Sequence, residues 1–393
     1  MKGAYLFFAS VICMFLISNT YLIPQAIVGA QSNATASTTS ILSQGTIDYS
    51  LNLTPEPTPT PTFSALHVDG NKLKDANGNV VVLRGVDDSI TTWWDSGVGY
   101  DTEQFAYMRD WGCNAVRITI SDWDIGYTPG NLGVYENAAF WTRLDNLVNG
   151  AISNGIYPII CGWATMGPSP DGIYSGVVSD FIPKYHTWTD FLNVYSLLAQ
   201  RYAGKNVIYE LWNEPLYCPL DTYKTYMEAA VDAIRTYDAN AIVIVEAVST
   251  GGWETWNLQF VKTHHINRPN IVYCVHQYGS YDGVFKDSSP SGILNSLGSN
   301  GAYTCYADWV LANGYPVIIT EFGISGVGTT PVSSQHVTWL NNFMSTVDDA
   351  GYCGYTAWRW ATPDLVGVDA LLADWYGNPT TFGQVIRDYY VIH

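Results

Sequence analysis

The chain has 393 residues, enough for one large domain or two smaller ones. Its formal net charge is −18, yet only 13% of residues are charged and no basic cluster appears, which argues against a nucleic-acid partner. There are 15 Trp and 28 Tyr, more than loops alone would hold, so a large aromatic core is expected.

The first element is a leader. Lys2 gives a positive start, Ala4 to Ser18 is an apolar run short for a bilayer span, and Val28-Gly29-Ala30 offers a small-residue cleavage site. Residues 1–30 therefore read as a signal peptide. The expectation is a secreted protein with no stable membrane insertion after cleavage, or a cell-surface tether if the segment is retained. Residues 31–64 are a Ser/Thr/Pro-rich linker ending in Pro55-Glu56-Pro57-Thr58-Pro59-Thr60-Pro61-Thr62. Alternating Pro and Thr favours an extended spacer that buries too little apolar surface to fold. Asn-x-Thr sequons at Asn33 and Asn52 make it a glycosylation candidate. The cysteines beyond the leader, Cys113, Cys161, Cys218, Cys274, Cys305 and Cys353, are widely spread without Cys-x-x-Cys spacing. Secretion permits disulfides, the spacing argues against a zinc site, and several positions lie inside apolar runs, where buried free thiols are the plain reading; no bridge is assigned.

Residues 65–393 read as one domain. It opens on a β-hairpin between Leu66 and Val86, with Asn77-Gly78 as turn signal. Apolar β-rich runs follow at Val80–Val86, Asn114–Ile120, Ile156–Cys161, Val207–Trp212, Ala241–Glu246, Ile271–Val275, Val317–Thr320 and Tyr355–Trp358. Helical stretches lie between them at Thr102–Trp111, Phe140–Asn154, Trp188–Tyr202, Thr222–Tyr237 and Ser333–Ala350. Continuous apolar strands alternating with helices imply a parallel sheet covered on both faces. Eight such repeats imply an α/β fold of the closed (β/α)8 TIM-barrel type. An open doubly wound sheet is the alternative, and it lacks a Gly-x-Gly-x-x-Gly turn after the first strand.

Two of these runs lead into a glutamate that caps them. Val207-Ile208-Tyr209-Glu210-Leu211-Trp212 leads into Asn213-Glu214-Pro215, and Val317-Ile318-Ile319-Thr320 into Glu321-Phe322-Gly323. Barrel enzymes keep their chemistry at the carboxyl ends of the strands, and a carboxylate pair there is the minimum machinery for cleaving a glycosidic bond. Strand alternation puts Glu210, Trp212 and Glu214 on one face, with Glu210 deeper and paired to a cation such as Arg117. A mouth arginine can donate to a carboxylate and keep it ionised. His276-Gln277-Tyr278 ends the sixth strand, where a lone histidine suits a hydrogen-bond relay better than a metal site. Asn213 can bond a sugar hydroxyl, and Gly323 is expected to let a sugar ring come close. On the last strand Trp358 and Trp360 share a face as a candidate sugar floor. Trp93, Trp94, Trp123, Trp163, Trp253 and Trp256 follow strands as candidate stacking surfaces.

These motifs together resemble glycoside hydrolase family 5, the cellulase family: Tyr209-Glu210-Leu211-Trp212-Asn213-Glu214-Pro215, Thr320-Glu321-Phe322-Gly323, Asn114-x-x-Arg117, His276-x-Tyr278 and the Trp358 strand, in the family's order. The resemblance implies a TIM barrel that retains anomeric configuration. It makes Glu214 the acid/base and Glu321 the nucleophile, with Arg117, Asn213, His276, Tyr278 and Trp358 supporting. It departs at strand 3, where Ile160-Cys161-Gly162-Trp163 lacks the family's usual histidine and Trp163 stands in its place. The function expected is a secreted, monomeric endo-β-1,4-glucanase on cellulose or a related β-glucan, with no metal or organic cofactor. A β-mannanase or xylanase on the same barrel, or a non-catalytic polysaccharide-binding surface protein, are the alternatives.

Overall fold

The computed structural model describes residues 64–89, 103–120, 138–162, 174–175, 188–251, 255–281, 284–298, 305–324 and 332–393. All of them lie in the compact unit Pro57–His393. Residues 1–30, expected to be a leader, and nearly all of residues 31–64, expected to be a linker, fall outside the described residues.

Eight parallel strands close into a barrel in chain order: β1 (Leu83–Ser89), β2 (Ala115–Ile120), β3 (Tyr157–Gly162), β4 (Ile208–Leu211), β5 (Val243–Glu246), β6 (Ile271–Tyr278), β7 (Val317–Gly323) and β8 (Gly354–Ala357), which pairs back to β1. Helices α1 (Glu103–Asp110), α2 (Ala138–Ser153), α3 (Trp188–Tyr202), α4 (Leu220–Arg235), α5 (Val261–His264), α6 (Pro290–Leu297), α7 (Ala307–Ala312), α8 (Ser334–Ala350) and α9 (Thr381–Tyr390) lie between and after the strands. The expected (β/α)8 barrel is present. Local chemistry sets helix ends. Ser333 and His336 close a reciprocal cap at the start of α8, and Gly351 takes a left-handed φ of 81° at its end.

The strands are apolar throughout because both faces are covered. Val116, Ile118, Ile120, Val243, Val245, Val317 and Ile319 pack outward against the helices. Ala115, Ile159, Ile208, Ile244, Val272 and Ile318 fill the barrel interior. An antiparallel hairpin, His67–Asp69 with Lys72–Lys74, adds Leu66 and Leu73 to that interior cluster. It turns at Gly70-Asn71, and Asn77-Gly78 makes a second tight turn closed by a Lys74–Val80 bridge. Moving two residues along each strand from this apolar layer, the interior becomes polar: Ala115 gives way to Arg117, Ile208 to Glu210, Ile244 to Glu246 and Ile318 to Thr320. Period-2 alternation thus stacks a charged layer on an apolar one at the carboxyl ends of the strands.

Candidate active site

Arg117 organises the charged layer. Fully buried on β2, it donates from Nε to Glu210 Oε2 at 2.8 Å, from Nη1 to Glu321 Oε1 at 2.7 Å and Asp87 Oδ1 at 3.1 Å, and from Nη2 to Asn213 Oδ1 at 2.6 Å. A planar fork with five N–H donors can serve these four partners at once; a lysine ammonium has three donors on a single nitrogen. Burial alone would raise the Glu210 carboxyl, but the adjacent guanidinium holds it well below the usual range. Burial pushes Asp87 well above that range, with Glu321 and Glu210 adding to it and Arg117 opposing.

The two candidate carboxylates meet at His276. Its Nδ1 lies 2.7 Å from Glu214 Oε1 and 3.5 Å from Glu321 Oε2. Tyr278 donates its hydroxyl to Glu321 Oε2 at 2.7 Å, so each oxygen of Glu321 has its own donor. One oxygen of Glu214, one of Glu321 and a ring nitrogen of His276 all lie within 4.8 Å of one another. Half-buried Trp256 packs its ring 5.4 Å from the imidazole. Trp358, also half-buried, stands just past the end of β8.

Two local deviations create this geometry. β7 carries one extra residue against both neighbours: Val275 pairs Ile319 while His276 pairs Glu321, and on the other side Ile319 pairs Tyr355 while Phe322 pairs Ala357. Strict alternation from outward-facing Ile319 would send Glu321 into the helix layer. The bulge turns both Thr320 and Glu321 inward, a typical use of such irregularities beside active sites. On β4 the strand stops at Leu211, and Trp212 and Glu214 adopt left-handed φ of 51° and 50°. The expectation that Glu210, Trp212 and Glu214 share a face is therefore corrected. Trp212 is buried among the helix-side aromatics Trp188, Phe191 and Tyr223, while Asn213 faces Arg117. Tyr195 of α3 fixes the strand end by donating to the Glu210 carbonyl at 2.7 Å and accepting from the Trp212 N–H at 3.2 Å.

Trp360 is not a sugar floor. It is 1% exposed, packs edge-on against Trp111 at 4.8 Å and donates Nε1 to Gln104 Oε1 at 2.9 Å. β8 ends at Ala357, so alternation no longer relates Trp360 to Trp358. Gly323 likewise has a packing reason. A Cβ there would meet the Trp358 carbonyl oxygen and the Tyr278 ring at 3.2 Å, so the glycine makes room for those two residues. Trp93, Trp94, Trp123, Trp163 and Trp253 lie outside the described residues. Cys113, Cys161, Cys218, Cys274, Cys305 and Cys353 are buried free thiols.

Sequence reasoning passed over Glu246, which closes an apolar run much as Glu214 and Glu321 follow theirs, and Asp87, two residues before the end of β1. Glu246 is fully buried, with Oε1 at 3.4 Å from His276 Nε2. Glu210, Glu246, Cys274 and His276 come close enough to suggest a metal cluster among the described residues. The donor set does not fit one, because the Arg117 guanidinium already lies against both carboxylates. Burial, aided by Glu210 and partly countered by His276, pushes the Glu246 carboxyl well above its usual range. Burial would lower His276, but Glu321 and Glu246 outweigh it and raise the imidazole well above the ordinary value. Both groups then hold protons in the folded chain that the unfolded chain has released. Their contribution is fully present below the unfolded pKa values and is lost as pH rises through the folded ones. The expected outcome is a melting temperature that falls between pH 6 and pH 9, measurable by calorimetry; an unchanged or rising value would contradict it.

A sequence-family model described as cellulase, glycosyl hydrolase family 5, matches residues 74–363. Endoglucanase E-5 of Thermobifida fusca is 27% identical over 273 residues, 68% of this chain and 50% of that protein. Endoglucanase CelA of Streptomyces lividans is 26% identical over 291 residues, 72% of this chain and 54% of that protein. The chain thus spans about half the length of the curated relatives it matches. Among solved structures, a β-glucanase of Saccharophagus degradans superposes with a TM-score of 0.66 at 22% identity, covering 84% of this chain and 93% of that one. That likeness shows a shared fold. With the family model matching well over half of its length, the chain belongs to the cellulase family, glycosyl hydrolase family 5.

Proposed function

We propose that the protein is an endo-β-1,4-glucanase that hydrolyses internal bonds of cellulose or a related β-glucan with retention of configuration. The observation that carries the reading is the carboxylate pair: one oxygen of Glu214 lies within 4.8 Å of one of Glu321, both beside His276 Nδ1. That spacing suits direct attack at carbon, for which about 5–5.5 Å between carboxyl groups is needed; inversion needs about 6.5–9.5 Å. Glu214 protonates the leaving oxygen as Glu321 attacks the anomeric carbon. Glu214 then deprotonates the water that releases the glycosyl-enzyme. Arg117 and Tyr278 fix the orientation of Glu321. The Asn213 amide nitrogen is buried without an acceptor among the described residues, which suits it to a sugar hydroxyl. Trp358 at the mouth offers an apolar face to a pyranose ring. Relatives named endoglucanases, and a neighbour of this fold described in complex with cellotetraose, favour a β-1,4-glucan over mannan or xylan.

The leader and the Pro/Thr segment support export, with residues 31–64 as a spacer and the barrel acting alone as a monomer. The test is product analysis on cellulose, mixed-linkage glucan, mannan and xylan, with the first product followed by proton NMR. The expected result is cello-oligosaccharides of retained anomeric configuration. An inverted first product would reject the double displacement, and exclusive action on mannan or xylan would reject the substrate assignment.

A further inference from the structure

Glu246 takes part in none of the steps above, yet it touches both members of the acid side of the site. Its Oε2 accepts the main-chain N–H of Glu214 at 3.1 Å, across a residue held at a left-handed φ of 50°. Its Oε1 lies 3.4 Å from His276 Nε2 and 3.5 Å from Arg117 Nη2. The far ring nitrogen of His276 meets Glu214 Oε1 at 2.7 Å. The imidazole therefore sits between two carboxyl groups, one in the cleft and one behind it. Thr320 Oγ1 at 3.3 Å is a further neighbour of Nε2. The position of Glu246 is itself fixed, because Tyr223 of α4 donates to its main-chain carbonyl at 2.8 Å.

We propose that Glu246 is a positioning residue of the acid/base: it anchors the Glu214 turn and, by facing Nε2, keeps His276 protonated on both ring nitrogens, so that Nδ1 always presents an N–H to Glu214. This rests on the assignment of Glu214 as acid/base. The consequence is chemical. When Glu214 has given its proton to the leaving oxygen, the carboxylate left behind is met at once by a donor already in place, with no rotation or tautomer change. A neutral imidazole in the other tautomer would instead offer a lone pair to that carboxylate and repel it.

The other ionisable groups around Glu246 and His276 define what a substitution changes. Arg117 on β2 lies against Glu246 and supplies positive charge, and Glu210 on β4 with Glu321 on β7 supplies negative charge. The thiols of Cys161 on β3 and Cys274 on β6 are pushed well above their ordinary value by burial and stay neutral. Burial holds the Glu246 carboxyl neutral near neutral pH, so it becomes a negative partner of the imidazole only as it ionises on the alkaline side; removing it takes that partner away and leaves the rest. The proton affinity of His276 must then fall.

Glu246→Gln keeps the shape and can still accept from the Glu214 amide, while its NH2 stands where Oε1 faced His276 Nε2, so the charge and the acceptor opposite Nε2 are removed together. The expected result is an alkaline limb of kcat/KM displaced to lower pH by about half a unit or more, with KM within about twofold. Nitrogen-15 NMR of the His276 ring in the wild-type protein provides the second arm and needs no variant to fold. Both ring nitrogens should remain protonated well past the ordinary imidazole range near about 6.5. A pH profile of Glu246→Gln that superposes on the wild type, or a His276 ring that loses a proton in the ordinary range, overturns the proposal. Failure of the functional reading is distinct: the wild-type protein itself would then hydrolyse none of the β-glucans.

Discussion

Glu321→Gln is expected to abolish turnover, with kcat lowered on the order of 10⁴-fold or more while substrate still binds. The amide is nearly isosteric and can still accept from Tyr278, which lies 2.7 Å from Oε2 in the native protein, so the fold and cleft should persist. What it lacks is an anionic oxygen to form the glycosyl-enzyme. Glu214→Gln should behave differently. It removes the proton donor, so natural substrates fail while those with good leaving groups still form the intermediate. Azide can take the place of whichever carboxylate has been cut back to alanine, and the product configuration tells which one it was. Azide replacing the nucleophile of Glu321→Ala attacks directly and returns an inverted glycosyl azide. A retained product from Glu321→Ala with azide would reverse the two assignments.

Arg117→Met is expected to cost about 3–5 kcal/mol at neutral pH, because it leaves a group of buried carboxylates without their cation. Asp87, Glu210 and Glu321 all bond the guanidinium, and its own exposure is 0%. A fall of roughly 10 °C in melting temperature follows from such a loss. The pH dependence identifies the cause. In the native protein Glu210 is held well below its usual value, so its contribution is present above the unfolded pKa and is lost only as pH falls through the low folded one. Without Arg117, burial dominates and the Glu210 pKa rises, so the variant is worst off at pH 7 and recovers on acidification as the carboxyl groups neutralise. The gap between wild type and variant should therefore narrow from pH 7 to pH 4. An equal gap at both values would mean that the loss is one of packing.

Strand and helix positions were legible because burial on both faces leaves each strand a continuous apolar run. All eight strand segments fall where those runs lie, and the helices at Glu103–Asp110, Ala138–Ser153, Trp188–Tyr202, Leu220–Arg235 and Ser334–Ala350 match the amphipathic stretches. The charges at strand ends were legible for the same reason, since a carboxylate closing an apolar run has few places to go but the barrel mouth. What alternation could not give was the facing of residues beyond a regular strand. Glu321 shares its parity with outward-facing Ile319 and reaches the cleft only through the β7 bulge. Trp212 shares its parity with inward-facing Glu210 and leaves the interior through a left-handed turn. Trp360 follows the end of β8 and is drawn into the helix layer by Trp111 and Gln104. Bulges and left-handed turns at non-glycine residues carry little sequence signal, and they lie here where the site is built. Glu246 was missed for another reason: no Asn-Pro or Gly neighbour marks it, although its apolar strand carries the same signal as the other two.

Glu321 is expected to form the covalent glycosyl-enzyme while Glu214 handles the proton. A 2-deoxy-2-fluoro-cellobioside with a good leaving group tests it most directly, because the fluorine slows breakdown of the intermediate and allows it to accumulate. Digestion and mass spectrometry of the inactivated protein should place the sugar on Glu321, with the label chased off by a β-glucan acceptor. A label on Glu214, or rapid hydrolysis with inversion and no labelled peptide, would contradict the account.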